Sequence, residues 1–431
     1  MGGHPKGLST LFFTEMWERF SYYGTRAFLM LYMTAAVASG GLGFDTAKAA
    51  TIYGAYTSSA YFATLPGGWI ADNILGARRS VLIGGILISI GNLLLFLGTM
   101  PLFYAGLGTV VVGTGLLKSN AAAIVGELYG KNDPRRDAGF SIFYMGINFG
   151  AFISPIICGW VAQRVNFRLA FLFAVIGMAF GVVQFVMGRR RLDGAGELKP
   201  RNQVAASAET TALKPGESSD WAKLSAIGVL FCFSAIFWGA FEQAGSSLNL
   251  FARDLTANTV FGWEYPSSWL QALNAVFIVS FAPVFSWMWM RMGDKQPSSP
   301  AKFAYGLLLA GAGFLVVAYA TSIAGGGKVS PLWLVLVYLL HTFGELSLGP
   351  VGLSAFSALA PPRVAALMMG VYYLSISAGN LLAGLAATTF DASNPESVVR
   401  LFGTVAGVCV VAGLVLFAIT PFLKKLMGGV R

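Results

Sequence analysis

The sequence has 431 residues, of which 56% are hydrophobic and only 11% charged, whereas soluble globular chains carry about a quarter charged residues. This composition excludes a soluble globular protein. The net charge of +10 does not indicate a nucleic-acid-binding protein, because the basic residues punctuate apolar stretches and do not gather in one run or on one face.

Twelve apolar stretches are long enough to span a membrane as helices, which takes roughly 20 residues each. In chain order they are 10–38, 46–72, 79–98, 101–127, 137–163, 167–188, 221–252, 267–292, 300–321, 331–356, 365–389 and 397–424. The polar interval between the sixth and seventh stretches lacks apolar periodicity and predicts a solvated linker. We therefore predict a six-helix bundle at 1–188, a cytoplasmic linker at 189–220 and a second six-helix bundle at 221–431.

The distribution of Lys and Arg predicts the orientation. Arg19, Arg26 and Lys118 lie within spans, and of the other 26 basic residues 20 lie on the side that holds both termini. The excess places both termini in the cytoplasm. Two six-helix halves joined by a cytoplasmic linker form an all-α integral membrane protein of the major facilitator type, in which the substrate site is expected between the halves near the midplane.

Charged residues inside the spans are candidate functional groups, since a charge at the bilayer centre costs roughly 2.5–3.5 kcal/mol. Seven occur: Glu15, Glu18, Arg19, Arg26, Lys118, Glu242 and Glu345. If all are ionised, the set carries a net charge of minus one, which a single proton would neutralise. This balance hints at proton coupling.

On the first span, the helical period places Glu15, Glu18, Arg19, Tyr22 and Arg26 in one stripe. Either glutamate can reach the guanidinium of Arg19, directly or one turn along the helix. A carboxylate beside an arginine stays ionised until its partner leaves, so the group predicts a proton site that conformation can switch. The alternative is a permanent buried salt bridge.

The remaining charges suit a zwitterionic substrate. Arg26 offers a planar fork and Lys118 a point charge to an anionic group, whereas Glu345 could hold an ammonium group. Alternatively, Lys118 and Glu345 pair as a gate. Glu242 could pair with Arg26 when substrate is absent, or could make a helix-packing hydrogen bond. His341, one turn before Glu345, is either a polar cavity wall or a proton relay.

Several weaker signals complete the prediction. Gly113, Gly115, Gly146 and Gly150 should permit close helix packing. The segment 72–79, which is acidic at its start and basic at its end, should make a gating contact at the cytoplasmic face. Cys158, Cys232 and Cys409 lie in apolar stretches and should be packing residues, without disulfide or zinc spacing.

Two motifs resemble the proton-dependent oligopeptide transporters, a family within the major facilitator superfamily. The first, Glu-x-x-Glu-Arg-Phe, stands at Glu15 to Phe20 and is followed by Tyr22-Tyr23-Gly24. The second, Phe-Tyr-x-x-Ile-Asn-x-Gly, stands at 143–150. The resemblance covers essentially the whole chain and implies a proton-coupled symporter that imports di- and tripeptides by alternating access.

The resemblance also implies residue roles. Glu15, Glu18 and Arg19 would couple protons, with Glu242 and Arg26 exchanging partners during the cycle. Arg26 and Lys118 would hold the peptide carboxylate, and Glu345 the amino terminus. Six further residues would line the pocket: Tyr22, Tyr23, Tyr61, Asn148, Trp238 and Asn274.

The chain departs from the family pattern at two places. The interval 189–220 is too short and too polar for the two extra helices of many bacterial members, and Tyr372 stands where the family usually has tryptophan, after Met-Gly-x. Two alternative functions stay open, namely a carrier of nitrate or a drug-like solute and a transport-dead peptide sensor. We expect a multi-pass protein of the plasma membrane whose partners are peptides, protons and lipid. No enzymatic activity, cofactor, metal, nucleic acid or obligate protein partner is expected.

Overall fold

The computed structural model describes residues 3–129, 133, 135–198, 220–260, 262–360 and 365–428. These residues are mainly α-helical. The helices are α1 (Gly7–Thr34), α2 (Thr46–Phe62), α3 (Thr64–Ile70), α4 (Ala77–Leu97), α5 (Met100–Glu127), α6 (Arg136–Arg164), α7 (Phe167–Gly188), α8 (Asp220–Phe241), α9 (Ser247–Asp254), α10 (Ala272–Met292), α11 (Ser299–Ile323), α12 (Pro331–Leu359), α13 (Ala365–Ala387) and α14 (Pro395–Leu426).

Shorter elements connect these helices. The 3₁₀ segments are Val37–Ser39, Arg189–Leu192, Glu242–Gly245, Ser267–Gln271 and Gly293–Lys295, and a π-helical segment covers Ala71–Leu75. Two short strands, β1 (Thr259–Val260) and β2 (Trp263–Glu264), form an antiparallel hairpin in which Val260 pairs with Trp263. The hairpin lies in a polar interval between two predicted spans, and the sequence pattern did not reveal it.

Local signals in the sequence fix several helix ends. The Asn166 side chain accepts a hydrogen bond from the backbone N–H of Arg168 at 2.7 Å and so caps α7. Asn394 caps α14 in the same way, accepting from Glu396 at 3.1 Å. Proline occupies the first turn of α5, α11, α12 and α14, where its missing N–H costs nothing.

Ten helical segments of the described chain are long and apolar enough to cross a membrane. The first two predicted spans are not among them. α1 is 28 residues long but carries four of the charged residues, and α2 is only 17 residues long before the helix is interrupted at Ala63. The α-helical membrane class is confirmed, while the count of twelve spans and the cytoplasmic termini stay predictions.

The chain forms two compact units. Unit 1 comprises Met1–Asp45, Ser59–Lys199 and Thr259–Ala275, and unit 2 comprises Thr46–Ser58, Pro200–Asn258 and Val276–Arg431. The beginning of α2 thus packs within unit 2, where Gly54 approaches the backbone of Gly384 on α13. Each unit has its own apolar interior. The six-plus-six division of the sequence stays a prediction.

The beginning of the predicted linker is packed and not solvated. Leu192 is fully buried and Ala195 is 8% exposed, in a cluster with Leu8 and Leu11 of α1. The Arg78 guanidinium donates to the Ala195 carbonyl and pairs with Glu197 at 3.0 Å. This arrangement places the basic end of the 72–79 segment against the linker within unit 1; residues 199–219 of the linker lie outside the described residues.

The glycine prediction is confirmed, whereas the cysteine prediction is wrong at one position. A Cβ on Gly113 would lie 2.7 Å from the Gly84 carbonyl oxygen, and one on Gly146 would lie 2.8 Å from the Phe12 carbonyl oxygen. Gly115 and Gly150 make similar backbone approaches. Cys158 and Cys409 are buried, but Cys232 is exposed on the surface of α8, because an apolar residue of a membrane helix can face lipid as well as protein.

Candidate transport site

The central feature of unit 1 is a buried charged cluster on α1. Arg19 contacts both Glu18 and Glu15, the latter at 3.1 Å between Nε and Oε1. Exposure is 3% for Glu15, 0% for Glu18 and 2% for Arg19. Two carboxylates therefore share one guanidinium out of contact with solvent, as the spacing of the motif predicts.

Aromatic rings extend this cluster along α1. The Arg19 guanidinium carbon lies 5.4 Å from the centre of the Tyr22 ring and 5.9 Å from that of Tyr23. Arg26, which is 5% exposed, follows Tyr23 in sequence, and its guanidinium carbon lies 5.8 Å from the centre of the Tyr23 ring. Ring faces attract cations, so Tyr23 links the cluster around Arg19 to Arg26.

A second cation joins the cluster from α5. The Lys118 ammonium lies 3.5 Å from the centre of the Tyr61 ring, at the end of α2. It also lies close enough to Glu15 to attract its carboxylate. These two side chains meet because Gly115, one turn before Lys118, lets the α5 backbone touch Ala63, two residues after Tyr61.

The structure also shows what holds α1 in place. On one side, Gly150 of α6 lies against the backbone at Met16 and against Arg19, where a Cβ would be 2.7 Å from the Cβ of Arg19. On another, Asn92 of α4 bonds two hydroxyls of α1. Thr25 donates to its carbonyl oxygen at 2.7 Å, and its amide nitrogen donates to Ser21 at 3.2 Å.

Sequence reasoning missed this asparagine clamp. Asn92 is 1% exposed and sits in the apolar run of α4, which is the signal that should have flagged it, because a buried amide needs hydrogen-bond partners. Ser21 and Thr25 are four residues apart and therefore lie on one face of α1. The clamp fixes the rotation of α1 and thereby the direction of its charged stripe.

Two other predicted residues lie in unit 1. Asn148, 5% exposed on α6, donates to the Tyr144 carbonyl one turn earlier at 2.9 Å. Asn274 is half-buried near the start of α10. Unit 1 therefore contains ten of the thirteen predicted site residues.

Trp238, Glu242 and Glu345 lie in unit 2. Glu242 is 2% exposed and stands where α8 gives way to a 3₁₀ turn, so the seventh predicted span is interrupted there. Trp238 packs one turn earlier, where Gly379 of α13 lies against it. Glu345 is half-buried on α12. A helix break next to a buried carboxylate leaves backbone N–H and C=O groups without partners in the helix, so they are available for binding, and it provides a point at which the helix can bend.

Tyr372, the residue that replaces the family tryptophan, contacts the helix of Glu345. Its hydroxyl donates to the Gly349 carbonyl at 3.0 Å, one turn beyond Glu345. The phenol hydroxyl thus bonds the backbone of α12, whereas an indole would carry its N–H donor on the side of the ring.

His341 is buried between two helices of unit 2. It is 1% exposed and packs between α12 and α11, with its ring centre 4.7 Å from that of Phe314. Gly313 leaves room for the imidazole. This burial does not support the reading of His341 as the wall of a wet cavity, and the proton relay stays a prediction. Helical spacing to Glu345 alone does not decide which neighbour a side chain meets.

Sequence comparison decides the family. The sequence model of the POT family matches residues 78–212 and 198–400. The chain belongs to the POT family. The match confirms the resemblance that the two motifs indicated. As a member of this family with apolar helices of spanning length, the protein is a multi-pass membrane protein.

Relatives match over nearly their full length. The chain is 38% identical to the uncharacterized transporter YclF of Bacillus subtilis, with 99% of this chain and 96% of the relative covered. It is 38% identical to the peptide transporter YePEPT of Yersinia enterocolitica, covering 100% and 96%. It is 35% identical to a di-/tripeptide transporter of Lactococcus lactis, covering 100% and 98%.

Solved structures agree with the family. A crystal structure of a peptide transporter POT in complex with sulfate has a TM-score of 0.92 and 39% identity, covering 100% of this chain and 97% of that one. A POT family transporter in complex with 5-aminolevulinic acid has a TM-score of 0.90 and 33% identity, covering 99% and 98%. These POT structures have the major facilitator fold, so that fold is confirmed.

Proposed function

We propose that this POT family member is a proton-coupled symporter that imports di- and tripeptides by alternating access. The observation that carries the proposal is the buried cluster of Glu15, Glu18 and Arg19, with Lys118 in electrostatic reach. The relatives named as peptide and di-/tripeptide transporters support the same substrate class.

The charge balance of each unit supports a zwitterion with a proton. Among the described residues away from helix ends, unit 1 holds two buried or half-buried carboxylates and three cations. Unit 2 holds the two carboxylates Glu242 and Glu345. The cations of unit 1 suit a peptide carboxylate, and a carboxylate of unit 2 suits an ammonium group. The seven charges together sum to about minus one, which a single proton would neutralise.

The cluster on α1 also suits proton coupling. Two carboxylates that share one guanidinium cannot both be fully neutralised, and removing either contact leaves a buried charge, which is costly in a low-dielectric site. Protonation of one carboxylate removes that cost and releases the guanidinium from that carboxylate. We propose that Glu18 or Glu15 takes the proton and that Arg19 then changes partner.

The remaining residues bind the peptide in this proposal. Arg26 and Lys118 hold the peptide carboxylate, and Glu345 holds the amino terminus. Tyr22, Tyr23, Tyr61, Asn148, Trp238 and Asn274 contact the peptide between its ends. Glu242 binds Arg26 when no peptide is present. Because the charged residues bind only the two termini of the peptide, we expect the protein to tolerate many different peptide side chains.

The test is uptake of labelled dialanine into proteoliposomes with and without an inward proton gradient. The proposal predicts accumulation that depends on the gradient and that di- and tripeptides inhibit, but single amino acids and nitrate do not. Competition by nitrate would favour an anion carrier, and binding without uptake would favour a peptide sensor.

A variant series makes the test specific to the cluster. Glu18→Gln should abolish gradient-driven accumulation but preserve exchange of labelled for unlabelled dialanine, since exchange needs no net proton movement. The exposed Glu396→Gln serves as the matched control and should behave like the native protein. Loss of both activities in Glu18→Gln would show that this glutamate serves structure or binding.

A further inference from the structure

An apolar groove lies directly behind the charged cluster of α1. Its volume is about 260 Å³ and its lining is almost entirely apolar. α1, α6 and α7 form it within unit 1, and its residues are Met16, Trp17, Phe20, Gly150, Ile153, Ile157, Phe173, Ile176, Gly177 and Phe180. Met16, Trp17 and Phe20 alternate along α1 with Glu15, Glu18 and Arg19, so the groove and the cluster share the same two helical turns.

The groove opens on the outer surface of unit 1. Phe173 is 39% exposed, Ile176 43% and Phe180 55%. In a membrane-spanning helix such residues face hydrocarbon, where polar solutes do not enter. The occupant of a groove of this composition in that medium is an acyl chain.

Exposed apolar residues connect the groove to a basic cluster. Along α7, Val183 and Met187 are 55% and 77% exposed and lead from Phe180 towards the end of the helix. There, Arg189, Arg190 and Arg191 follow in sequence, and all three are exposed. Among the described residues, none of the three forms an ion pair with a carboxylate.

The basic cluster includes a fourth residue from the start of α1. Gly7 packs against the backbone of Arg191, with its Cβ position 2.9 Å from the Arg191 carbonyl oxygen. The neighbouring Lys6, also exposed, therefore lies at the same end of the bundle. Asp193 is exposed nearby and offsets one of these four positive charges.

The distances fit a phospholipid. Nine residues separate Phe180 from Arg189, which is about 14 Å at 1.5 Å per helical residue. One leaflet of the hydrocarbon core is about 15 Å thick. A lipid whose headgroup contacts the arginines can therefore place the end of one acyl chain at the groove.

We propose that this surface is a binding site for one anionic glycerophospholipid. The phosphate-bearing headgroup contacts Arg189, Arg190, Arg191 and Lys6, and one acyl chain follows Met187 and Val183 into the groove. The chain fills the space behind Trp17 and Phe20 and supports the turns of α1 that carry Glu15, Glu18 and Arg19. The site does not depend on the transported substrate.

Native mass spectrometry of the full-length protein in detergent tests the headgroup contact. Phosphatidylglycerol and phosphatidylcholine are added at equal concentrations. We expect one phosphatidylglycerol to be retained in preference to phosphatidylcholine. The triple variant Arg189→Gln, Arg190→Gln, Arg191→Gln should weaken its retention by up to about 125-fold, since each of the three basic residues at an anionic lipid surface contributes about fivefold.

The matched control for the triple variant removes positive charge elsewhere. Lys424→Gln with Lys425→Gln changes two exposed basic residues at the end of α14 and should leave phosphatidylglycerol binding unchanged. Equal retention of phosphatidylcholine, or unchanged retention in the triple variant, would overturn the proposed headgroup recognition.

A second pair of variants tests the acyl chain. Ile176→Trp fills the groove and should reduce phosphatidylglycerol retention, while Ile86→Trp on α4 should not, although both isoleucines are 43% exposed. Ile176→Phe is the milder variant if the tryptophan impairs folding. Unchanged retention in both Ile176 variants, or displacement of the lipid by glycerol phosphate alone, would refute the groove. A dimer that Ile176→Trp dissociates would show that a second copy occupies it.

Discussion

Gly150→Ala tests whether close packing of α6 on α1 holds the charged cluster in place. The new Cβ would lie 2.7 Å from the Arg19 Cβ and 3.0 Å from the Phe20 backbone nitrogen, and it would also contact the Met16 carbonyl. Two of these are backbone atoms, which cannot rotate away. Overpacking of this kind costs roughly 1–3 kcal/mol, against a gain of about 1 kcal/mol because alanine favours helix over glycine.

We therefore expect Gly150→Ala to be destabilised by up to about 2 kcal/mol, with a melting temperature lower by a few degrees at most and reduced dialanine uptake. Gly108→Ala on α5 is the matched control, because no atom lies within 4 Å of its Cβ position. That variant should be as stable as the native protein or more so. The assay is a thermal unfolding curve in detergent with uptake in proteoliposomes. A Gly150→Ala protein as stable and active as Gly108→Ala would refute the packing argument.

Two further predictions concern polar contacts outside the charged cluster. Asn92→Leu should lower stability by about 1–2 kcal/mol in the same thermal assay, since interhelical hydrogen bonds in membranes contribute about 0.6 kcal/mol on average and up to about 1.7; no change would show that the clamp is not structural. At the α5–α6 turn, hydrogen bonds from Arg135 lower the pKa of Asp133 from 3.8 to about 2. A lowered pKa gives stability that is complete above about pH 4 and lost as the pH falls through about 2. The backbone N–H of Arg135 donates to the Asp133 carboxylate at 2.9 Å. This N–H should therefore stay protected from hydrogen exchange between about pH 7 and 4.5. A loss of protection in that interval would contradict the lowered pKa of Asp133.

The sequence predicted the helices closely because apolar length, capping asparagines and first-turn prolines are local signals. Most predicted spans agree with helices of the structure within a few residues. The predictions were less accurate where a helix is interrupted. The break at Ala63 comes just before Pro66, which has no N–H to donate to the Phe62 carbonyl one turn earlier. Hydropathy registers neither this break nor the one at Glu242.

The charged cluster was predictable because its members are close in sequence. Glu15, Glu18 and Arg19 lie within two helical turns, so the helical period alone brings them together. The proximity of Lys118 to Tyr61 was not predictable in this way, because it depends on the contact between Gly115 and Ala63. The place of His341 against Phe314 likewise depends on how α11 packs on α12.

The packed start of the linker illustrates a different limit. The polar composition of 189–198 indicated a solvated segment, yet Leu192 and Ala195 enter the core. The Arg78 guanidinium donates to the Ala195 carbonyl and to the Glu197 carboxylate. A few apolar residues among many polar ones suffice when a neighbouring arginine satisfies the carbonyl groups.

The most direct test of proton-coupled peptide import records luminal pH in proteoliposomes with a trapped dye, without an imposed gradient. Adding external dialanine should acidify the lumen in proportion to the peptide that enters, whereas adding alanine should not change the pH. Entry of labelled dialanine at a constant luminal pH would contradict proton symport, even if the transporter and its fold are as described.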